Sequence, residues 1–398
     1  GNSRLLRVVN PEGKEFAAIT VNVDGTESGF QDLAGGEAAL AIAARRVDEG
    51  EAGLNGLRDG PAERVVALDG IVVLVHPDNP LGVLTLDQIA AIFAGRITDW
   101  SQLGGPERLI TLYLPGESSG TLRLFEALVM QPRGMTLDAS AERVERHSDL
   151  ADLVSIDPSG IGLSSSAFPR AARMVAIRRQ CGLVSRPDSF SIKAEEYPLV
   201  RRLYLYGNTD GQPAQIPALA DFAVSDEAQP FIASAGFANR DIESQGIDVQ
   251  GGRLASSIVN PGEFSLPLFR EMLGELMDAQ RLSLTFRFVA GSENMEPRSQ
   301  SEAARFARLL TEGAFAGSEI LLVGFTDSVG DFDVNRQVAE ARAGSVLDTL
   351  RTLVPADTLA GLSIQVKSYG ELTPVGCNEI SAGRELNRRV EVWVRNKR

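Results

Sequence analysis

The sequence is short of histidine and cysteine, with two of each in 398 residues. Two cysteines, Cys181 and Cys377, exclude a cysteine-rich metal centre and a disulfide scaffold. In an oxidising compartment they can still form one bridge, which would tie domains together because they fall in different halves; two free buried thiols are the alternative. No apolar run reaches the ~20 residues that span a bilayer. Basic residues are outnumbered, 39 to 53, for a net charge of −14. That excess argues against nucleic acid and anionic membrane surfaces as general partners. No metal or organic cofactor is implied. There is no initiator Met and no signal-like apolar segment, so Gly1 reads as the start of a processed or trimmed chain. No internal repeat or low-complexity tract is apparent.

What is present suits soluble globular domains: 43% apolar and 23% charged residues give ample core, and the length suggests two or three domains. The first 240 or so residues alternate strand-like and helix-like segments. Strands are expected over Ala17–Val23, Ala39–Ala43, Arg64–His76, Leu109–Leu114, Met174–Ile177 and Leu203–Tyr206. A loop spans Asp24–Gly29, and helices are expected over Thr85–Phe93 with Thr85 as cap, over Thr121–Met130, and from about Asp226. The alternation argues α/β with largely parallel sheets. From Glu243 to Gly262 the chain thins into Gly, Ser and Gln and reads as a linker. The expected division is therefore 1–242, a linker over 243–263, and 264–398 with a leading helix, Leu266–Met277.

In the last part, Leu282, Leu284, Phe286 and Phe288 alternate with polar residues, as in a half-buried strand. A helix (Ser301–Thr311), a buried strand (Ile320–Val323) and a turn with Gly324-Phe-Thr-Asp327-Ser-Val-Gly330 follow. Asp331 or Asp333 can cap the next helix, whose apolar face is expected on Val334, Val338, Ala341 and Ser345. Asn335 and Arg342 are seven apart and share a face beside that stripe. The loop can bring Asp327 round to Arg342, and such a pair in one cleft suits a zwitterion carrying an amine and a carboxylate. Strands Leu362–Tyr369 and Arg389–Val394 complete a βαβαβ-type unit, an α+β architecture.

Gly324–Gly330, Asn335, Arg342-Ala343, Tyr369-Gly-Glu371 with Pro374, and Asn387-Arg-Arg-Val-Glu391 together resemble the OmpA-like peptidoglycan-binding domain, in order and spacing from Leu282 to Val394. The resemblance implies binding of the meso-diaminopimelate residue of the wall peptide. Asp327 would take its ammonium and Arg342 its carboxylate, with Asn335, Asn387 and Arg388 near the same cleft. Phe325 stands where many members have His, and Val338-Ala339 where Leu-Ser is usual; neither touches the charged pair.

Val65–Val73, Asn79-Pro80, Leu84–Ile89, Ile92–Trp100, Ser119-Gly-Thr121, Tyr197–Tyr204 and Phe231–Phe237 resemble the phosphate-binding, PstS-like proteins of ABC transporters, over about Ala17 to Ile242. That implies a two-lobed, type II-like periplasmic binding protein with its ligand between the lobes. Ser119, Gly120 and Thr121 stand at a helix start, where amides can bind an anion, and Thr26 and Ser28 lie on the other candidate loop. Pro115 replaces an Arg, Ala44-Arg45 a Ser-Asp, the family's first strand and loop have no counterpart in Gly1–Phe16, and Glu117 would repel phosphate.

Gly116-Glu-Ser118-Ser-Gly120 also matches the G-x-S-x-G nucleophile elbow. A hydrolase needs an oriented His base as well. His76 precedes the serine and abuts Pro77, and His147 lies 29 residues beyond it in a polar stretch, so no enzyme is expected. Glu195-Glu196 and Asp331 with Asp333 read as solvated surface or caps. The pairs Arg45-Arg46, Arg178-Arg179 and Arg201-Arg202 are too scattered for a polyanion patch. The expectation is a periplasmic, wall-attached protein of the cell envelope, associated with the outer membrane. Its N-terminal domain holds phosphate or another small anion; the alternative is a scaffold whose lobes have lost the ligand and dock a partner protein.

Overall fold

The computed structural model describes residues 3–9, 12–23, 25–48, 50–51, 53–54, 56–57, 62–207, 211–259 and 265–396. Gly1, Asp24 and residues 260–263 of the expected linker lie outside these. The chain divides into two units: Gly1–Ile177 with Tyr197–Asp241, and Arg178–Glu196 with Ile242–Arg398.

The first unit is built on one long strand, Glu63–Val75, whose second half is fully buried because both faces are covered. Val200–Tyr206 pairs with its beginning and Gly160–Ser165 with its end, both antiparallel. The seven-stranded sheet continues to Ala41–Ala43 on one side and to Thr111–Pro115 and Glu142–Val144 on the other. Only these last pairings are parallel. The sheet is thus mixed rather than largely parallel: the return strand Val200–Tyr206 runs back against Glu63–Val75. The expected helix at Thr85 forms over Leu86–Phe93 with a reciprocal cap, Thr85 Oγ1 accepting from the Gln88 amide at 3.1 Å and Gln88 Oε1 from the Thr85 amide at 2.9 Å. Glu15–Asn22 is a strand as expected, paired in a two-stranded ribbon with Ser3–Val9.

The second unit is a five-stranded sheet in the order Ser244–Gly246, Gln280–Arg287, Arg389–Asn396, Ser318–Phe325, Ser363–Ser368. Leu282, Leu284, Phe286, Ile320, Leu322, Val390 and Val392 face helices Pro297–Thr311 and Phe332–Leu353. Leu321, Val323, Phe325 and Trp393 face the helix Leu266–Leu276. Both sheet faces are therefore buried, so the alternation in Gln280–Arg287 does not mark a wet face: Arg281 and Arg287 are buried too.

Two expectations about domain limits need correction. The stretch expected to link the domains contributes the edge strand Ser244–Gly246, the core residue Ile247 and the helix Gly251–Val259 to the second unit. Its Gly, Ser and Gln content masked a three-residue strand and a helix pinned by Arg253. The second unit also takes up Arg178–Glu196, so Cys181 and Cys377, which form a disulfide, both belong to it. The bridge closes within one unit rather than tying two together.

Candidate functional site

Helix Phe332–Leu353 starts where Asp331 accepts from the amides of Asp333 and Val334. Its buried face is Asn335, Ala339, Arg342, Ala343, Val346 and Leu350, one position round from the stripe expected, and Val334 is exposed. The reason lies in Gly324. A Cβ there would sit 2.0 Å from the Ala339 carbonyl, so the helix rests directly on the strand at Ala339. That contact rotates Asn335 and Arg342 inward, to the mouth of the loop that follows the strand.

The result is a cleft of about 460 Å³ lined by Thr326, Asp327, Asn335, Arg342, Arg384 and Arg388, among others. Asp327 and Arg342 both line it without pairing. Asp327 Oδ2 accepts from Arg388 Nη1 at 2.8 Å, and its Oδ1 from the Val329 amide at 3.0 Å. A carboxylate has lone pairs for two further donors. Arg342 is 3% exposed, stacks over Phe288 at 5.6 Å, and gives Nε to the Ser292 carbonyl at 3.2 Å. It makes no ion pair among the described residues. Burial first, then repulsion from Arg388, pushes its pKa down, with Asp327 and Glu293 pulling back. Such a guanidinium is short of an anion. Thr326 Oγ1, Asn335 Nδ2 and Arg388 Nε are also buried without a hydrogen-bond partner among the described residues.

The Asn387-Arg388-Arg389 motif splits into three tasks. Asn387 is fully buried and does not reach the cleft, contrary to expectation. Its side chain holds the 375–378 loop, accepting from the amides of Val375 and Gly376 and donating to Gly376 and Asn378. Arg388 turns into the cleft. Arg389 turns away, 4.3 Å from the centre of the Phe325 ring, and binds Glu391. Phe325 thus packs against an arginine, on the sheet face covered by helix Leu266–Leu276. Glu195 and Glu196 are not solvated either: they pair with Arg298 and Arg281.

In the first unit, two helix starts meet, with Thr26 and Ser28 in the first turn of a helix rather than on the loop expected: a Cβ on Gly120 would lie 3.1 Å from Thr26 Oγ1, and one on Gly25 3.2 Å from the Ser118 carbonyl. The helices are Thr26–Gly35 and Gly120–Phe125, whose first amides have no intrahelical acceptor. Thr26 and Thr121 are buried and engaged: Thr26 Oγ1 accepts from the Ala44 amide at 3.0 Å, Thr121 Oγ1 from Arg201 Nη1 at 2.6 Å. Ser28 and Ser119 are half-buried, and their hydroxyls have no partner among the described residues.

Behind Thr121 lies a buried network that the sequence reading missed. Arg201 binds Asp69 at 2.6 and 2.9 Å, Ser165 and Ser166 donate to Asp69, and His147 touches Thr121 Oγ1 at 3.2 Å and Ser164 Oγ at 3.3 Å. Asp69 inside the apolar run Val65–Val75 was the available signal, since a charge on a buried strand requires a partner. Neither histidine reaches Ser118, whose hydroxyl has no partner among the described residues, so the elbow motif lacks its base.

Burial, with Arg201 adding repulsion and Asp69 opposing it, lowers the His147 pKa to about 4. Between about pH 6.5 and 4 the unfolded chain therefore takes up a proton that the native state refuses, and stability falls as pH drops through that window. Urea unfolding at pH 7 and 4.5 should show His147→Gln losing less stability than the wild type, by roughly 1–3 kcal/mol.

Comparison with known proteins places both parts. The model for the PBP superfamily domain matches residues 2–227. The chain belongs to the PBP superfamily. It is 21% identical over 229 residues to the phosphate-binding protein PstS of Borreliella burgdorferi, covering 55% of this chain and 78% of that one. Its C-terminal part is OmpA-like: outer membrane porin F of Pseudomonas fluorescens is 29% identical over 114 residues, covering 29% of this chain and 33% of the porin's length. The solved peptidoglycan-associated lipoprotein of Burkholderia pseudomallei matches at 22% identity and a TM-score of 0.24, over 28% of this chain and 89% of that one. The PBP superfamily part thus carries the meeting helix starts and the OmpA-like part the charged cleft. No helix among the described residues is long and apolar enough to cross a membrane.

Proposed function

We propose that this protein is a wall-attached periplasmic binding protein whose OmpA-like unit holds the diaminopimelate residue of peptidoglycan. Asp327 takes the ligand's ammonium and Arg342 its carboxylate, with Arg388 and Asn335 completing the polar lining. The observation that supports this most is the state of Arg342: buried, in the cleft and, among the described residues, without a carboxylate of its own. A free diaminopimelate centre carries both charges on one carbon, and a bidentate carboxylate would relieve the guanidinium while the ammonium meets the spare lone pairs of Asp327. The experiment is co-sedimentation with diaminopimelate-type sacculi. The protein should pellet with them, and persistent recovery in the supernatant would overturn the assignment.

The PBP superfamily part takes phosphate or another small anion where its two helix starts meet, using the first-turn amides of both helices with the Ser28 and Ser119 hydroxyls. One observation favours a second reading, a scaffold without ligand. The nearby cations are already neutralised: Arg201 by Asp69, and Arg45 by Glu27 and Glu51. A thermal-shift panel of oxyanions separates the two. A ligand at a hundred times its Kd should stabilise by about 2.7 kcal/mol, whereas silence across the panel selects the scaffold.

A further inference from the structure

The disulfide does not sit in a neutral part of the second unit. Cys377 is 2% exposed and lies between Gly376 and Asn378, the two residues to which the Asn387 side chain donates. Asn378 is the hinge of the arrangement. Its Oδ1 accepts from the Ser328 amide at 3.3 Å, next to Asp327, and its carbonyl accepts from Arg384 Nη1 at 2.7 Å, a cleft residue. The helix Ser381–Asn387 rests on the same loop: a Cβ on Gly383 would lie 2.0 Å from the Cys377 carbonyl. The covalent bond to Cys181 thus fixes the loop from outside, while Asn378 and Asn387 pass its position inward to Asp327 and Arg384. Glu379 completes a trio with the two cysteines, but both sulfurs are spent in the bridge.

We propose that the Cys181–Cys377 disulfide is a positioning element for the zwitterion cleft, and that its reduction lowers affinity for the wall peptide. This rests on the wall-binding function proposed above. The reductant is a dithiol. Its thiolate attacks the half-buried Cys181 sulfur, and Cys377 leaves as a thiolate and is protonated. The second thiol of the reductant then resolves the mixed disulfide: two electrons and two protons pass to the protein, and the dithiol becomes a disulfide. Cys181 is the half-buried residue of the pair and Cys377 the buried one. Freed from its tether, the 375–378 loop must be ordered by the ligand itself, which lowers affinity by about tenfold.

The test measures binding of a soluble diaminopimelate muropeptide to the full chain, oxidised and after dithiothreitol, with circular dichroism confirming the fold. Oxidised protein should bind about tenfold more tightly than reduced, and Cys181→Ser/Cys377→Ser should bind as the reduced protein does, whatever the redox state. Asn378→Ala in oxidised protein breaks the relay while keeping the disulfide, and should lose a similar factor while remaining folded by circular dichroism. Equal affinities in both redox states, or an unchanged Asn378→Ala, overturn the inference while leaving wall binding intact. Absence of binding in the oxidised wild type instead overturns the wall-binding function.

Discussion

Arg342→Ala should reduce sacculus binding at least about a hundredfold while leaving the protein folded. A guanidinium held in a low-dielectric pocket and matched to a carboxylate makes charge-assisted bonds of about 1.5–3 kcal/mol each. Removing it leaves the ligand's carboxylate without a two-pronged partner, since Arg388 is already engaged by Asp327. The fold should tolerate the change, because among the described residues Arg342 gives one hydrogen bond, to Ser292, and has no carboxylate to leave stranded. Removal of an uncompensated buried cation, if anything, stabilises. Arg342→Lys should recover only part of the affinity, since a point charge cannot reproduce the two-pronged contact. Asp327→Ala should also abolish pelleting, but with a stability cost, because it leaves Arg388 without its partner. Pelleting of Arg342→Ala at wild-type levels would show that the carboxylate is bound elsewhere.

Glu391→Gln should destabilise the second unit by about 3–5 kcal/mol, the range for breaking a buried ion pair from one side. Glu391 is fully buried and gathers three guanidiniums: Arg389 Nε at 2.7 Å, Arg253 Nη2 at 2.9 Å and Arg281 Nε at 3.2 Å, with Trp393 Nε1 donating at 3.0 Å. Burial alone would raise its pKa; Arg253, Arg281 and Arg389 outweigh that and hold it far below the usual carboxylate range. Glu196 is the other acid of this cluster, bound to Arg281. Two carboxylates against three arginines already leave one positive charge, and Gln at 391 would leave two. Urea unfolding checks this, and a loss under about 1 kcal/mol would mean that water reaches the cluster.

The C-terminal cleft was legible because its residues lie in short motifs: loop, helix start and strand entry each carry their own signal. What the motifs could not give was rotation and partnership. Val334 and Val338 looked like the inward stripe by apolarity, yet the close approach at Gly324 and Ala339 sets the helix one position round. Asp327 and Arg342 were expected as neighbours, but Arg388 stands with Asp327 instead. The resemblance implied a place for Asn387 at the cleft, whereas its side-chain amide is taken up by a buried loop. Longer-range facts were illegible for a different reason. The capture of Arg178–Glu196 by the second unit rests on Glu195, Glu196 and Cys181, whose partners lie 103, 85 and 196 residues away. Likewise Asp69 and Arg201 meet only through the antiparallel register of two strands. No local pattern encodes such pairs.

The measurement that bears most directly on the central claim is calorimetric titration of the full, oxidised chain with two stem peptides identical except at the third residue. One carries meso-diaminopimelate and the other lysine. Lysine keeps an amine for Asp327 but has no carboxylate for Arg342. The diaminopimelate peptide should bind saturably and the lysine peptide at least about a hundredfold more weakly, a difference of about 2.7 kcal/mol. Equal affinity for the two peptides would contradict the claim.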